Sequence, residues 1–128
     1  MNKEKNLMDF VKEAKSRIQE IEVTEVYDYL KQGYQILDVR EPAEFSSGTI
    51  TGALNVPRGV IEAAADRDYV GRREELMDRD KKWLLLCASS GRSAMATETL
   101  QQMGFKYVKN INGGMNAWKA AGLAITQP

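Results

Sequence analysis

Trp83-Leu84-Leu85-Leu86-Cys87-Ala88-Ser89-Ser90-Gly91-Arg92-Ser93-Ala94 is the stretch on which the reading of this chain turns. The segment from Lys82 to Leu86 shows almost no alternation, which predicts a strand covered on both faces, as inside a parallel sheet. The run delivers the only cysteine of the chain into a loop of small residues, followed by a helical pattern from Ser93 to Met103. Small residues let successive N–H groups converge on one centre, and a helix N-terminus adds free N–H groups and a positive dipole end. Arg92 adds a full charge. Each of these favours a thiolate over a thiol at Cys87. The plain alternative is a buried structural cysteine; the loop, the arginine and the following helix argue against it.

Working outward, strand and helix patterns alternate. Leu7, Val11, Ala14 and Ile18 recur at helical spacing between Lys3 and Arg17, predicting an amphipathic helix that packs on the domain or meets a partner. A short strand over Ile18–Val23 follows. Thr24 is placed to N-cap a helix through Gln32, with Val26, Tyr27 and Leu30 inward and Gly33 as its stop. Tyr34 to Val39 reads as the second strand, Pro42 opens a short helix containing Glu44 and Phe45, and Ala53 to Val56 reads as the third strand. Arg58 to Lys82 reads as helical and highly charged, with Arg72, Arg73, Glu74, Glu75, Asp78, Arg79 and Asp80 in water. Phe105 to Ile111 is the fifth strand and Met115 to Ala121 the last helix. The expected fold is a three-layer α/β/α domain around a mostly parallel sheet of about five strands. Residues 1–17 read as a helical extension and 18–128 as the domain.

Composition narrows the chemistry. Of 128 residues, 18 are Lys or Arg and 18 are Asp or Glu, so no global field favours nucleic acid or an anionic membrane. With no histidine in the chain, Cys–His and Ser–His–Asp mechanisms and His-ligated metals are excluded. No metal or cofactor is expected. A lone cysteine fits a reducing compartment or a reactive thiol. The polar start and the lack of a membrane-length apolar run make the cytoplasm the expected location. Neither G-x-x-x-x-G-K-[ST] nor G-x-G-x-x-G occurs, which argues against a nucleotide site.

Four segments together resemble the single-domain rhodaneses, the thiosulfate sulfurtransferase-like family. They are Ile36-Leu37-Asp38-Val39-Arg40-Glu41-Pro42-Ala43-Glu44-Phe45, the stretch Gly48 to Pro57, the loop Cys87 to Ser93, and Gly104-Phe105 through Asn112-Gly113-Gly114-Met115-Asn116-Ala117-Trp118. The resemblance implies that Cys87 takes the outer sulfur of an anion such as thiosulfate and carries it as a persulfide to a thiol or protein-cysteine acceptor. It implies that the N–H groups of Ala88, Ser89, Ser90, Gly91, Arg92 and Ser93 bind the anion, with Arg92, and Arg58 if it reaches the pocket, orienting it. A non-turnover sulfur carrier or regulatory binding module is the alternative. Cysteine phosphatases share the fold but use Cys-x5-Arg, whereas Cys87 and Arg92 form Cys-x4-Arg. Two departures stand out: Thr49 where the family usually has histidine, expected to change packing, and Ser90 where relatives often have glycine, expected to narrow the loop or add a hydroxyl donor. Asp38 and Arg40, beside a strand end, are expected to pair with loop charges. A homodimer through the N-terminal helix is a further expectation.

Overall fold

The computed structural model describes residues 3–128; Met1 and Asn2 of the expected extension lie outside the described residues. Five strands form one sheet: β1 (Glu20–Ile21), β2 (Gln35–Asp38), β3 (Leu54–Asn55), β4 (Trp83–Leu86) and β5 (Val108–Ile111), in the order β1-β5-β4-β2-β3. Every neighbouring pair is parallel. The cysteine-bearing β4 is central, and all four of its residues are buried.

Alternation along the strands divides the core in two. Leu37, Trp83 and Leu85 face one layer, where they pack with Ala64 and Ala65 of α4 (Ile61–Ala65) and Ala96 and Leu100 of α5 (Gly91–Gln102). Ile36, Leu84, Leu86 and Ile111 face the other, against Val26 of α2 (Val26–Lys31) and Met115 and Trp118 of α6 (Gly114–Ala120). The three-layer α/β/α reading therefore holds. The remaining helix of the domain, α3 (Pro42–Ser47), starts on Pro42, with the Glu41 N–H donating to the Glu44 carboxylate.

The N-terminal helix α1 (Leu7–Lys15) is opened by a reciprocal cap, the Asn6 and Asp9 side chains each accepting the other's N–H. It packs on α5 through buried Val11 and Ala14, leaving Leu7, Met8 and Phe10 exposed. No helix among the described residues is long and apolar enough to cross a membrane.

The helix expected over Arg58–Lys82 is absent. A 3-10 turn at Arg58–Val60 leads into the short α4, and irregular chain follows, broken by a 3-10 turn at Glu74–Leu76. The organiser is Arg79, which is half-buried rather than solvated. Its guanidinium donates to the carbonyls of Ala65 (2.6 Å), Leu76 (2.7 Å) and Met103 (3.0 Å) and lies over the Phe105 ring. Burial lowers its pKa from the ordinary arginine value. Two smaller corrections concern α2. A 3-10 turn over Val23–Glu25 precedes it, so Thr24 is no cap, and the Glu25 side chain accepts the Glu22 N–H instead. Tyr27 is 44% exposed, its ring edge-on to Trp118.

Candidate active site

Ligand sites of a parallel sheet lie beyond the carboxyl ends of its strands, and β4 ends one residue before Cys87. The cysteine side chain is buried, with two donors on its sulfur: the Ser90 N–H at 3.1 Å and the Ser93 hydroxyl at 3.2 Å. Helix α5 begins at Gly91, two residues before the expected Ser93, which places Arg92 and Ser93 in its first turn. The N–H groups of Gly91, Arg92 and Ser93 have no acceptor among the described residues. They present the positive end of a helix of 12 residues to the loop. Donors to sulfur and a helix N-terminus both favour negative charge, so the loop suits an incoming anion.

Two glycines hold the loop from behind. The N–H groups of Met115 and Asn116, at the start of α6, donate to the carbonyls of Cys87 and Ala88, both at 2.9 Å. The approach is so close that a Cβ on Gly114 would sit 2.3 Å from the Cys87 oxygen. Gly113 and Gly114 both have positive φ, at 77° and 54°, a geometry that glycine adopts without the Cβ penalty. Asn110 of β5, fully buried, adds a third anchor by donating from Nδ2 to the Ser90 carbonyl (3.3 Å) and to Glu20 (2.9 Å).

Ser90 itself is strained. Among the described residues it is the non-glycine with positive φ, at 112°, a conformation that costs an L-residue on the order of 1–2 kcal/mol. Its hydroxyl accepts from Lys15 of α1 at 2.8 Å. The backbone N–H at this position, not the side chain, thus serves the sulfur.

The other sequence-selected residues fall as follows. Ala88 is half-buried and Ser89 is exposed at the loop tip. Arg92 makes a bidentate pair with Glu44 of α3, at 2.7 and 3.0 Å. Its hydrogen bond holds the Glu44 carboxyl at about 2, against an ordinary 4.5, while Glu44 and the nearby Cys87 raise the arginine. Arg58 is exposed and directs Nη2 to the Met95 sulfur at 3.8 Å, outside the loop. Asp38 and Arg40 do not pair with loop charges. They pair with each other (2.8 Å), both buried, and Arg40 also donates to the Gly48 carbonyl at 2.7 Å. Thr49, in the histidine position, donates to the Asp38 carboxylate at 2.8 Å and completes that buried cluster.

Beside the loop runs a groove of about 370 Å³, walled by Leu7, Met8 and Val11 of α1, by Met95 of α5 and by Ser89 to Arg92. Sequence reasoning missed Lys15, Glu44 and Asn110. Glu44 read only as part of a resemblance segment and its short helix, Asn110 only as part of the fifth strand, and Lys15 only as part of an amphipathic helix.

Comparison with known proteins agrees with this geometry. The model of the rhodanese-like domain matches residues 22–121. Thiosulfate sulfurtransferase 16, chloroplastic, of Arabidopsis thaliana is 39% identical over 106 residues, covering 80% of this chain and 88% of that protein. A Rhodopseudomonas palustris structure, described as a protein of unknown function and possible tyrosine phosphatase, superposes with a TM-score of 0.88. It is 32% identical, with 98% of both chains covered. A rhodanese-related protein from Thermoplasma volcanium superposes with a TM-score of 0.72 at 30% identity, covering 86% of this chain and 99% of its own. With a matched domain spanning most of its length and a buried cysteine held at the end of the central strand, this chain belongs to the rhodanese-like family.

Proposed function

We propose that this protein is a sulfurtransferase that moves sulfane sulfur from an anion such as thiosulfate to a thiophilic acceptor through a Cys87 persulfide. The observation that carries the reading is the pair of donors on Cys87 Sγ, the Ser90 N–H and the Ser93 hydroxyl, at the N-terminus of α5. In the first half-reaction the Cys87 thiolate attacks the outer sulfur of thiosulfate. A bond forms between Sγ and that sulfur, the bond to the sulfonate sulfur breaks, and sulfite leaves with the electron pair. In the second, a thiol, protein cysteine or cyanide attacks the outer sulfur and Cys87 departs as thiolate. This is covalent, two-step catalysis without a base, which suits a chain that has no histidine. The unpartnered N–H groups of Gly91, Arg92 and Ser93 serve the anionic oxygens. Arg92, already neutralised by Glu44, acts chiefly as a rim that shapes the loop. With one cysteine there is no internal relay, so the sulfur leaves directly to another molecule. The compartment proposed is the cytoplasm, where a lone thiol stays reduced.

Mass spectrometry of the intact protein after thiosulfate exposure tests this. A one-sulfur gain on Cys87 that cyanide removes, absent in Cys87→Ser, is the expected result. Absence of any gain overturns it. A gain that cyanide removes only in a single turnover, with no steady-state thiocyanate, favours a sulfur carrier. The shorter Cys-x4-Arg loop predicts no hydrolysis of p-nitrophenyl phosphate.

A further inference from the structure

Resting on the reading of Cys87 as the sulfur carrier, we propose that Lys15 is a positioning residue, completing the cysteine loop from a helix outside the matched domain. The matched region begins at residue 22, whereas α1 ends at Lys15. Lys15 Nζ lies 2.8 Å from Ser90 Oγ, 3.4 Å from Asn112 Oδ1 and 3.5 Å from Glu20 Oε2. Ser90 is the residue whose N–H donates to Cys87 Sγ, and it holds a φ of 112° while doing so.

Serine does not hold that conformation by preference. Its carbonyl is anchored by the Ala94 N–H at 2.9 Å and by Asn110. The remaining handle on the residue is its hydroxyl, which Lys15 grips. A glycine at this place would adopt the conformation freely but would offer nothing to grip. The serine therefore exchanges intrinsic ease for a tether, and the tether runs to α1. That helix is itself fixed at the loop, since Val11 packs so near Gly91 that a Cβ there would lie 3.3 Å from Val11 Cγ2. The charged groups around the loop are Lys15 from α1, Glu20 from β1, and Arg92 from α5 with Glu44 from α3. Removing the ammonium changes both the tether and the local charge, and the test must separate the two.

The experiment measures the rate of Cys87 alkylation by iodoacetamide at neutral pH in four proteins: wild type, Lys15→Met, Ser90→Gly and the double variant. Lys15→Arg is the conservative rescue. Loss of the tether frees the Ser90 N–H from the sulfur, and losing a charge-assisted bond to a thiolate slows alkylation about tenfold in Lys15→Met. Lys15→Arg stays within about twofold of wild type. In the Ser90→Gly background the same Lys15→Met change alters the rate by less than about twofold, because glycine needs no tether. An equal slowing in both backgrounds means that Lys15 acts by charge through space and overturns the proposal. So does a Lys15→Met protein as reactive as wild type. Lys15→Gln replaces Lys15→Met if circular dichroism shows the latter unfolded. Alkylation requires no sulfur donor, so failure of this coupling and failure of persulfide formation are separate results.

Discussion

Gly114→Ala tests whether the cysteine loop depends on the close approach of α6. The perturbation has two parts. A Cβ at a φ of 54° carries the left-handed penalty of an L-residue, about 1 kcal/mol. It would also meet the Cys87 oxygen at 2.3 Å and the carbonyl carbon and oxygen of Ala88 at 2.8 Å. All are backbone atoms, so the contact cannot be relieved by turning a side chain. Helix α6 must retreat, and the hydrogen bonds from the Met115 and Asn116 N–H groups to Cys87 and Ala88 are lost, each worth about 1 kcal/mol. The total is about 3 kcal/mol. Gly33→Ala is the control, because Gly33 has a φ of 95° but nothing within 4 Å of a built Cβ. It carries only the conformational cost, about 1 kcal/mol. Urea unfolding separates them: with a slope on the order of 1.5 kcal/mol per molar, Gly114→Ala lowers the midpoint by about 2 M and Gly33→Ala by about 0.7 M. Equal midpoints for the two variants would refute the argument that the approach of α6 is rigid.

Further predictions concern the ion pairs and buried donors. The Glu44 carboxyl is held at about 2 by Arg92, below its ordinary 4.5, so its contribution is complete above 4.5 and fades as pH falls toward 2. Since both side chains are more than a third exposed, that contribution is under about 1 kcal/mol; the stability difference between wild type and Glu44→Gln shrinks across this window. Thr49→Val leaves the buried Asp38 carboxylate short of one donor and costs about 1–3 kcal/mol in urea unfolding, with Thr49→Ser retaining most of it. Arg79→Met removes three carbonyl partners and the Phe105 contact. It costs about 3 kcal/mol and opens residues 66–78 to limited proteolysis.

Residues whose roles follow from local pattern were legible in the sequence. The unbroken apolar run of β4, the small loop after Cys87 and the alternation of strand and helix all declare themselves within a few neighbours. What escaped depended on distance. Arg79 sits in a run of charges that reads as solvated, yet its guanidinium satisfies carbonyls from three separate segments; a charge pattern cannot show which acceptors the fold leaves open. Lys15 looked like one more cation on an amphipathic helix, and only the packing of α1 on α5 brings it to Ser90. Arg92 was legible as a site residue, but its partner was not, because Glu44 lies on a helix joined to the loop through tertiary structure alone. Asp38 and Arg40 failed as loop partners for a local reason: the two-residue spacing at a strand end lets them close on each other.

The braces behind the cysteine also bear on how the protein is made. Asn110, Met115 and Asn116 supply the donors that fix the carbonyls of Ser90, Cys87 and Ala88, and all three follow the cysteine in the chain. Strand β5, which carries Asn110, also pairs with β1 from the other side of the sequence. A polypeptide emerging from the ribosome therefore exposes its one thiol before it has the parts that cradle it. A product interrupted between residues 87 and 110 would carry the sulfur atom but none of these late braces. The cradle behind Cys87 is therefore complete only once α6 has docked against the loop.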